Sequence, residues 1–228
     1  MPVDTTGFTD KASKNEAERA LYERDVPYCQ AYGEHTDLRV ERDGPALAIG
    51  GQWETHGPLQ LRFLRSRGLR PYHRLLDLGC GTGRFARHAV PYLDVGHYTG
   101  LDLSRKALNH CEALAVNEGW AERRPVFRQG DGSLSAVSDR AGDYIWAHSV
   151  FTHLPASIIR KVLADVAARE FDVFLFSYKK SDRTWRSGLK QFQYTIEDMA
   201  ALVRDAGLTV IQDGTKFPSG QYVMGARK

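Results

Sequence analysis

The sequence predicts an α/β fold in which a doubly wound, mostly parallel sheet carries helices on both faces. The first observation is that short apolar segments alternate with helical segments from residue 74 onward. The second is that the last two predicted strands, 208–212 and 222–226, are joined by the short segment 213–221. A parallel crossover needs a dozen or more residues, so one of these strands must run antiparallel to the rest.

The N-terminal part of the chain has a different character, and we divide the 228 residues into an arm and helical lid, 1–45, and a main domain, 46–228. Residues 16–32 show helical spacing of apolar side chains, interrupted at Pro27. Three aromatic residues in this segment either help to cover a ligand site or simply pack: Tyr22, Tyr28 and Tyr32. The segment 37–51 is equally consistent with a loop or a short helix.

The main domain alternates strands and helices in a regular order. The predicted strands cover residues 74–78, 98–103, 125–129, 144–148, 173–178, 208–212 and 222–226, and the predicted helices cover residues 84–90, 105–118, 156–170 and 196–206. Ser104 and Thr195 are suitable N-cap residues. Pro58 predicts the start of a helix that ends at Gly68, and Pro91 predicts the end of the helix 84–90.

The composition favours an ordinary globular protein of a reducing compartment. The net charge of +3 gives little support for a nucleic-acid partner, although it does not exclude one. Three cysteines form no metal-binding or disulfide pattern, and the first residues do not resemble a signal peptide. No apolar run is long enough to span a bilayer. We therefore expect a cytoplasmic protein, and the oligomeric state stays open.

A glycine-rich turn follows the first predicted strand, in the sequence Leu75-Leu-Asp-Leu-Gly-Cys-Gly-Thr-Gly-Arg-Phe-Ala86. Glycines let the backbone approach a ligand closely, and the following helix N-terminus offers free N–H groups. The turn therefore indicates a nucleotide-cofactor site. A dinucleotide site would favour glycine where Arg84 stands, and it would not usually have an acid such as Asp77 before the turn.

The pattern from Asp77 to Gly83 resembles the first motif of class I S-adenosylmethionine-dependent methyltransferases. Further motifs of that family follow in order at the ends of the next strands: Asp102 in the second, Asp131 after the third, and residues 147–155 after the fourth. The resemblance implies S-adenosyl-L-methionine as cofactor. It also implies a seven-stranded sheet of order 3-2-1-4-5-7-6 with the last strand antiparallel.

The same resemblance implies roles for individual residues in binding this cofactor. Around the methionine part we expect Asp77, Gly79, Cys80, Gly81 and Gly83. The Asp102 carboxylate, with Leu103 beside it, is expected on the ribose hydroxyls. Asp131 is expected at the adenine amino group, flanked by Gly130 and Gly132. His148 and Ser149 lie in the segment that passes the reactive methyl group.

Two histidines are candidates for the general base of methyl transfer. His153 follows the fourth strand, where the methyl group is expected, and His56 is a second candidate. Each is alternatively a packing residue. Trp53 either shields the sulfonium or anchors the helix that follows it. Related enzymes that use a divalent metal carry acidic residues where this chain has Ser149 and Thr152, so no metal is predicted.

The favoured function is methyl transfer to a small-molecule acceptor, with an oxygen nucleophile in a natural-product or glycan pathway. Acceptor motifs for exocyclic amino groups, 5-methylcytosine formation and protein arginine are absent. The basic segment 179–190 keeps open an acceptor in RNA or protein. Two other classes also stay open, namely a nicotinamide-dependent oxidoreductase and a cofactor-binding protein without transfer activity.

Overall fold

The computed structural model describes residues 11–138 and 142–228, so the first ten residues of the predicted arm and lid, 1–45, lie outside the described residues. The helices are α1 (Lys11–Glu23), α2 (Tyr28–Asp43), α3 (Pro45–Ala48), α4 (Trp53–Ser66), α5 (Ala86–Tyr92), α6 (Arg105–Asn117), α7 (Ala156–Ala167) and α8 (Ile196–Asp205). The strands are β1 (Leu75–Leu78), β2 (Tyr98–Asp102), β3 (Val126–Gln129), β4 (Tyr144–Ala147), β5 (Val173–Tyr178), β6 (Trp185–Ser187), β7 (Gln191–Gln193), β8 (Thr209–Ile211) and β9 (Tyr222–Arg227). None of the helices in these ranges combines the length and apolar character that a bilayer crossing requires.

Seven strands form one sheet in the order β3-β2-β1-β4-β5-β9-β8. The strands β1 to β5 pair in parallel, and β9 runs antiparallel to both β5 and β8. The predicted fold class, strand order and reversed last strand are therefore confirmed. Two short strands that were not predicted, β6 and β7, form a separate hairpin in the basic segment before α8.

Two helix boundaries differ from the prediction because prolines lie inside helices rather than at their ends. Helix α4 begins at Trp53 and contains Pro58, and helix α5 contains Pro91. Each proline removes one backbone donor. That loss is offset by the burial of neighbouring apolar side chains, such as Leu64 in α4 and Val90 in α5. Pro27 does interrupt the N-terminal helix, as predicted, and stands directly before α2.

Alternate side chains of the central strands fill two cores on opposite faces of the sheet. Leu76, Ile145 and Phe174 face the core that includes side chains of α7 and α8. Leu75 and Trp146 face the core beneath α4 and α5. Because both faces are covered, these strands are apolar throughout rather than alternating with polar residues.

Helix α2 is attached across the carboxyl edge of the parallel strands. Its Asp37 accepts hydrogen bonds from the Ser104 hydroxyl and, at 3.0 Å, from the Lys106 backbone N–H at the start of α6. Gly33 lies so close to Leu103 that a Cβ atom would stand 2.9 Å from the Leu103 carbonyl oxygen. The helix therefore rests directly on the chain that leaves β2.

Candidate functional site

One cavity of about 340 Å³ lies at the carboxyl edge of the sheet, beneath α2. Its walls come from the chain ends that follow β1, β2, β3 and β4, from α2, and from the β6–β7 hairpin. The predicted cofactor residues that line it are Asp77, Gly79, Cys80, Gly81, Asp102, Leu103, Gly130, Gly132, His148 and Ser149. Parallel α/β sheets bind ligands at this edge, where the connections diverge.

The glycine turn needs its glycines because of backbone conformation and close contacts. Gly79 and Gly81 have φ values of +79° and +59°, which L-residues with side chains rarely adopt. A Cβ atom at Gly79 would stand 2.4 Å from a methyl carbon of Val150. The turn therefore brings the main chain after β1 against the segment after β4, with the cavity beside it.

Backbone donors fix the carboxylate of Asp102 at the cavity wall. Oδ2 accepts a hydrogen bond from the Gly81 N–H at 2.8 Å, and Oδ1 accepts one from the Ser104 N–H at 2.9 Å. Burial raises the pKa of Asp102, while these backbone donors act against that shift. The carboxylate thus links the glycine turn to the end of β2 and still borders the cavity, as the predicted ribose contact requires.

Behind the glycine turn, Asp77 accepts a hydrogen bond of 2.6 Å from the Tyr98 hydroxyl. Burial raises the pKa of Asp77 to about 7, although Tyr98 acts in the opposite direction. Arg84 is also buried and donates to the carbonyl oxygens of Ile49 and Gly51. Arg84, which stands where a dinucleotide site would favour glycine, therefore links the segment after α3 to the glycine turn.

A closed set of hydrogen bonds holds the turn after β4, where Ser149 adopts a φ of +63°. The Ser149 N–H donates to the Ser177 hydroxyl, which donates in turn to Oε1 of Gln221. Nε2 of Gln221 then donates to the Ser149 hydroxyl at 2.9 Å. A non-glycine residue in the left-handed region is strained, and this network maintains it at the cavity wall.

His148 lies at the same wall and is buried among aromatic rings. Its ring centroid stands 4.9 Å from that of Phe217 and 5.6 Å from that of Trp146. Neither ring nitrogen has a hydrogen-bond partner within the described part of the chain. Burial lowers the pKa of His148 to about 3, so the ring stays neutral. An unpartnered polar ring at a cavity wall is suited to receive a hydrogen bond from a ligand.

His153 closes another part of the cavity from the short turn Phe151–His153. Its Nδ1 atom lies 2.9 Å from the Lys190 carbonyl oxygen, which can only accept, so Nδ1 carries the proton. Burial lowers the pKa of His153 to about 4. The ring is therefore neutral, and its Nε2 atom retains the free electron pair.

Four predicted site residues are not brought to the cavity wall. Trp53 packs edge-on against His110, with Arg87 over its ring, and so anchors α4. His56 is buried with its ring centroid 6.1 Å from that of His148. Gly83 packs against α6. The Asp131 carboxylate is exposed and accepts hydrogen bonds from the Ser133 N–H and hydroxyl.

The expected ligand contacts of Trp53, His56, Gly83 and Asp131 therefore stay predictions, and the structure shows what each residue packs against or binds without a ligand. Helix α4 begins five residues before Pro58, so Trp53 and His56 both lie within this helix, which agrees with the packing alternative for each. Asp131 caps its own turn, because a serine two residues later offers two donors. Its neighbours Gly130 and Gly132 do line the cavity.

Two cavity residues have no signal in the local sequence, Arg39 of α2 and Gln60 of α4. Tyr32, Arg84 and Lys190 also line the cavity, and they belong to segments that the sequence had singled out. The positioning residues Ser177 and Gln221 were also not predicted. Within residues 11–138 and 142–228, no group of three or more His, Cys, Asp or Glu side chains is arranged to hold a metal ion.

Comparison with known proteins agrees with this geometry. Residues 76–169 match the family model of a methyltransferase domain. A sterol 24-C-methyltransferase of Gibberella zeae is 29% identical over 142 residues, which cover 60% of this chain and 33% of that protein. A 27-O-demethylrifamycin SV methyltransferase of Amycolatopsis mediterranei is 32% identical over 87 residues, which cover 38% of this chain and 31% of that protein. The chain thus spans about a third of the length of these curated relatives.

Among solved structures, the magnesium protoporphyrin IX methyltransferase of Synechocystis with bound S-adenosylmethionine superimposes with a TM-score of 0.59. The two proteins are 16% identical, and the match covers 96% of this chain and 92% of that one. At this identity the likeness concerns the fold, which includes the helices before the sheet. Together with the family match, the strand order and the glycine turn, it shows that this chain carries a class I S-adenosylmethionine-dependent methyltransferase domain.

Proposed function

We propose that this protein transfers the methyl group of S-adenosylmethionine to an oxygen atom of a small-molecule acceptor of a natural-product or glycan pathway. The observation that carries the proposal is the continuity of the cavity. The wall that holds Asp102 and the glycine turn lies in the same cavity as His153 and Lys190. If the methyl donor and the acceptor bind next to each other there, much of the translational and rotational entropy cost of their reaction is removed before the chemical step.

The described residues fit the cofactor. Asp102 presents a fixed carboxylate suited to ribose hydroxyls, and the glycine turn leaves room for close approach of a ligand. His148, with two unpartnered ring nitrogens, offers a further polar contact at the wall of the same cavity. S-adenosylmethionine, when bound, supplies an electrophilic methyl group on a sulfonium. The residues around it bind, orient and exclude water.

His153 is the proposed proton acceptor. Its Nδ1–H is held by the Lys190 carbonyl oxygen, so Nε2 is the basic atom. With a pKa of about 4, this histidine is a weak base. Efficient proton transfer requires a base matched to its partner, so an acidic hydroxyl, such as a phenol or enol, suits His153 better than an alcohol.

The N-terminal segment 1–45 is proposed to act as a lid over the main domain. Helix α2 contributes Cys29, Tyr32, Thr36 and Arg39 to the cavity wall. The helix therefore borders the cavity that Asp102 also lines. Opening and closing of such segments commonly limits turnover and excludes water during the reaction.

A second candidate function is transfer to carbon, which is favoured by the similarity to a sterol 24-C-methyltransferase. The Tyr32 ring at the cavity wall, stacked with Tyr28, is suited to stabilise a cationic intermediate on an alkene acceptor. Structure determination of the labelled product by NMR distinguishes a methoxy group from a new carbon–carbon bond.

The direct test is transfer of radiolabelled methyl from S-adenosylmethionine into extracts of the source organism, followed by analysis of the labelled product. We expect a labelled small molecule bearing a methoxy group. His153→Ala should lower turnover while calorimetric affinity for S-adenosylhomocysteine stays near that of the wild type. Label in RNA or protein, with activity lost as salt increases, would identify a macromolecular acceptor. Binding of NAD without binding of S-adenosylhomocysteine would overturn the proposal.

A further inference from the structure

Lys190 contributes an ammonium group to the cavity from the turn that connects β6 and β7. Its Nζ atom lies 2.7 Å from Nε2 of His35, a fully buried residue of α2. The same ammonium stands 5.6 Å from the centre of the Tyr32 ring. The hairpin and α2 therefore meet through this lysine, next to His153.

No described carboxylate lies within ion-pair distance of the Lys190 ammonium. Glu18 is the acid on that side, but it binds Arg42 at 2.8 Å and stands 3.7 Å from the His35 ring. Burial lowers the pKa of Lys190 to about 8; the positive charges of Arg39 and Arg42 add to that shift, and the negative charge of Glu18 opposes it. A partly buried cation without a counter-ion is unfavourable unless a ligand provides the negative charge.

His35 leaves the lysine free to bind such a ligand. Burial lowers the pKa of His35 to about 2, so its ring is neutral and Nε2 accepts one N–H of the ammonium. An ammonium has three donors, and two of them remain for a ligand. The histidine thus holds the lysine in place without neutralising its charge.

The positive charge at this place that has no carboxylate at ion-pair distance is about one unit, namely that of the Lys190 ammonium. The two other cations that line the cavity already have partners: Arg39 donates to the Leu47 carbonyl oxygen at 2.8 Å and faces Asp43 at 3.5 Å, and Arg84 donates to the carbonyl oxygens of Ile49 and Gly51. One uncompensated charge matches a carboxylate better than a doubly charged phosphate. Apolar side chains of the same cavity are suited to the body of such a ligand: Leu134, Leu154, Ile158 and Val162.

We propose that the acceptor carries a carboxylate, and that Lys190 binds this group and so selects acidic acceptors and orients them beside His153. The inference rests on the proposed methyl transfer, because it concerns the acceptor side of that cavity. The lysine acts on substrate recognition, and the proton transfer assigned to His153 is a separate step.

Binding to the full chain saturated with S-adenosylhomocysteine tests this proposal. The probes are two matched pairs, hexanoate with hexanamide and phenylacetate with phenylacetamide, measured by calorimetry. We expect at least one carboxylate to bind about tenfold more tightly than its amide, as a charge-assisted contact implies. Equal binding within both pairs, or no binding of either carboxylate, would overturn it. Tighter binding of phenyl phosphate than of both carboxylates would also contradict it.

Two substitutions assign the effect to the lysine. Lys190→Met removes the charge, and Lys190→Gln removes it while keeping a donor for His35. Both should abolish the preference for carboxylates, and Lys180→Met, an exposed neighbour on the same connection, should keep it. Affinity for S-adenosylhomocysteine should change by less than about twofold in each variant. A large loss there, with carboxylate preference unchanged, would assign Lys190 to the cofactor instead. Failure of the wild type to bind S-adenosylhomocysteine would reject the proposed function itself.

Discussion

Nε2 of Gln221 donates a hydrogen bond of 2.9 Å to the hydroxyl of Ser149, although the two residues are 72 positions apart in the chain. Ser149 has a left-handed backbone conformation at the cavity wall. Gln221 directly precedes β9, the reversed strand, and accepts a hydrogen bond from Ser177 of the neighbouring strand β5. The antiparallel strand that closes the sheet therefore also shapes the site.

Replacement of Gln221 by leucine should impair both stability and catalysis. The change leaves the buried Ser177 hydroxyl without its acceptor and the Ser149 hydroxyl without its donor, which costs about 2 kcal/mol in the free energy of unfolding. Urea unfolding measures this loss, and methyl-transfer assays should show a lower kcat as the Ser149 turn relaxes. Gln212→Leu, at an exposed position, is the control and should change neither quantity. Equal effects of the two substitutions would show that the hydrogen bonds among Ser149, Ser177 and Gln221 have no such role.

Substitution of Asp102 should weaken cofactor binding strongly, and substitution of Asp131 should not. Asp102→Ala removes a carboxylate that backbone donors hold at the cavity wall, so affinity for S-adenosylhomocysteine should fall by about tenfold or more. Asp131→Ala removes an exposed carboxylate that contacts only its own turn. Calorimetry measures the affinity of both variants for S-adenosylhomocysteine. A larger loss of affinity for Asp131→Ala than for Asp102→Ala would support the predicted contact of Asp131 with adenine.

A methyl group added at Gly33 tests the contact between α2 and Leu103. In an exposed helix, glycine to alanine increases stability by about 1 kcal/mol. At Gly33 the new Cβ would stand 2.9 Å from a backbone oxygen, so α2 must shift away from the end of β2. We expect Gly33→Ala to lower the affinity for S-adenosylhomocysteine by about tenfold, or about 1.4 kcal/mol. Gln30→Ala, on the exposed side of α2, serves as control; a Gly33 variant that binds as tightly as the wild type would contradict the close contact.

Buried neutral histidines should make the protein sensitive to acid. Burial lowers the pKa of His35, His148 and His153 from 6.5 to about 2, 3 and 4 respectively. Below pH 6.5 the unfolded chain binds protons that the folded chain does not, so stability falls as the pH decreases. The raised pKa of Asp77 has the opposite effect between about pH 7 and pH 3.8, where it increases stability as the pH decreases, but it involves a single proton.

The histidine effect can be measured by urea unfolding between pH 7.5 and pH 5, a window chosen from the ordinary histidine pKa of about 6.5. The free energy of unfolding should decrease toward the acidic end. His148→Phe, in its aromatic surroundings, should reduce that slope by an amount that approaches about 1.4 kcal/mol per pH unit at the acidic end, since one proton is removed from the linkage. A slope unchanged in this variant would mean that His148 has the same pKa in the folded and the unfolded protein.

Local sequence patterns predicted the elements whose determinants lie close together in the chain. The glycine turn, the Asp102 position and the N-caps Ser104 and Thr195 depend on neighbours within a few residues, and both caps accept the expected backbone hydrogen bonds. The reversed final strand followed from the length of one connection. The two internal prolines were misread because tertiary burial of α4 and α5 outweighs the local preference of proline for helix ends.

The sequence by itself determined the alternation of strands and helices and the reversed final strand, and the resemblance of its motifs implied the sheet order, the cofactor class and the strand ends where the cofactor site is expected. Tertiary structure decided which side chains share the cavity with them. The Lys190–His35 contact joins residues 155 positions apart, and the Ser149–Gln221 contact joins residues 72 positions apart. Such pairs leave no periodic or adjacent pattern in the chain, because they arise only when the hairpin, α2 and β9 pack around the same edge of the sheet. The proposed acceptor side of the cavity therefore depends on packing, whereas the predicted cofactor side depends on local motifs.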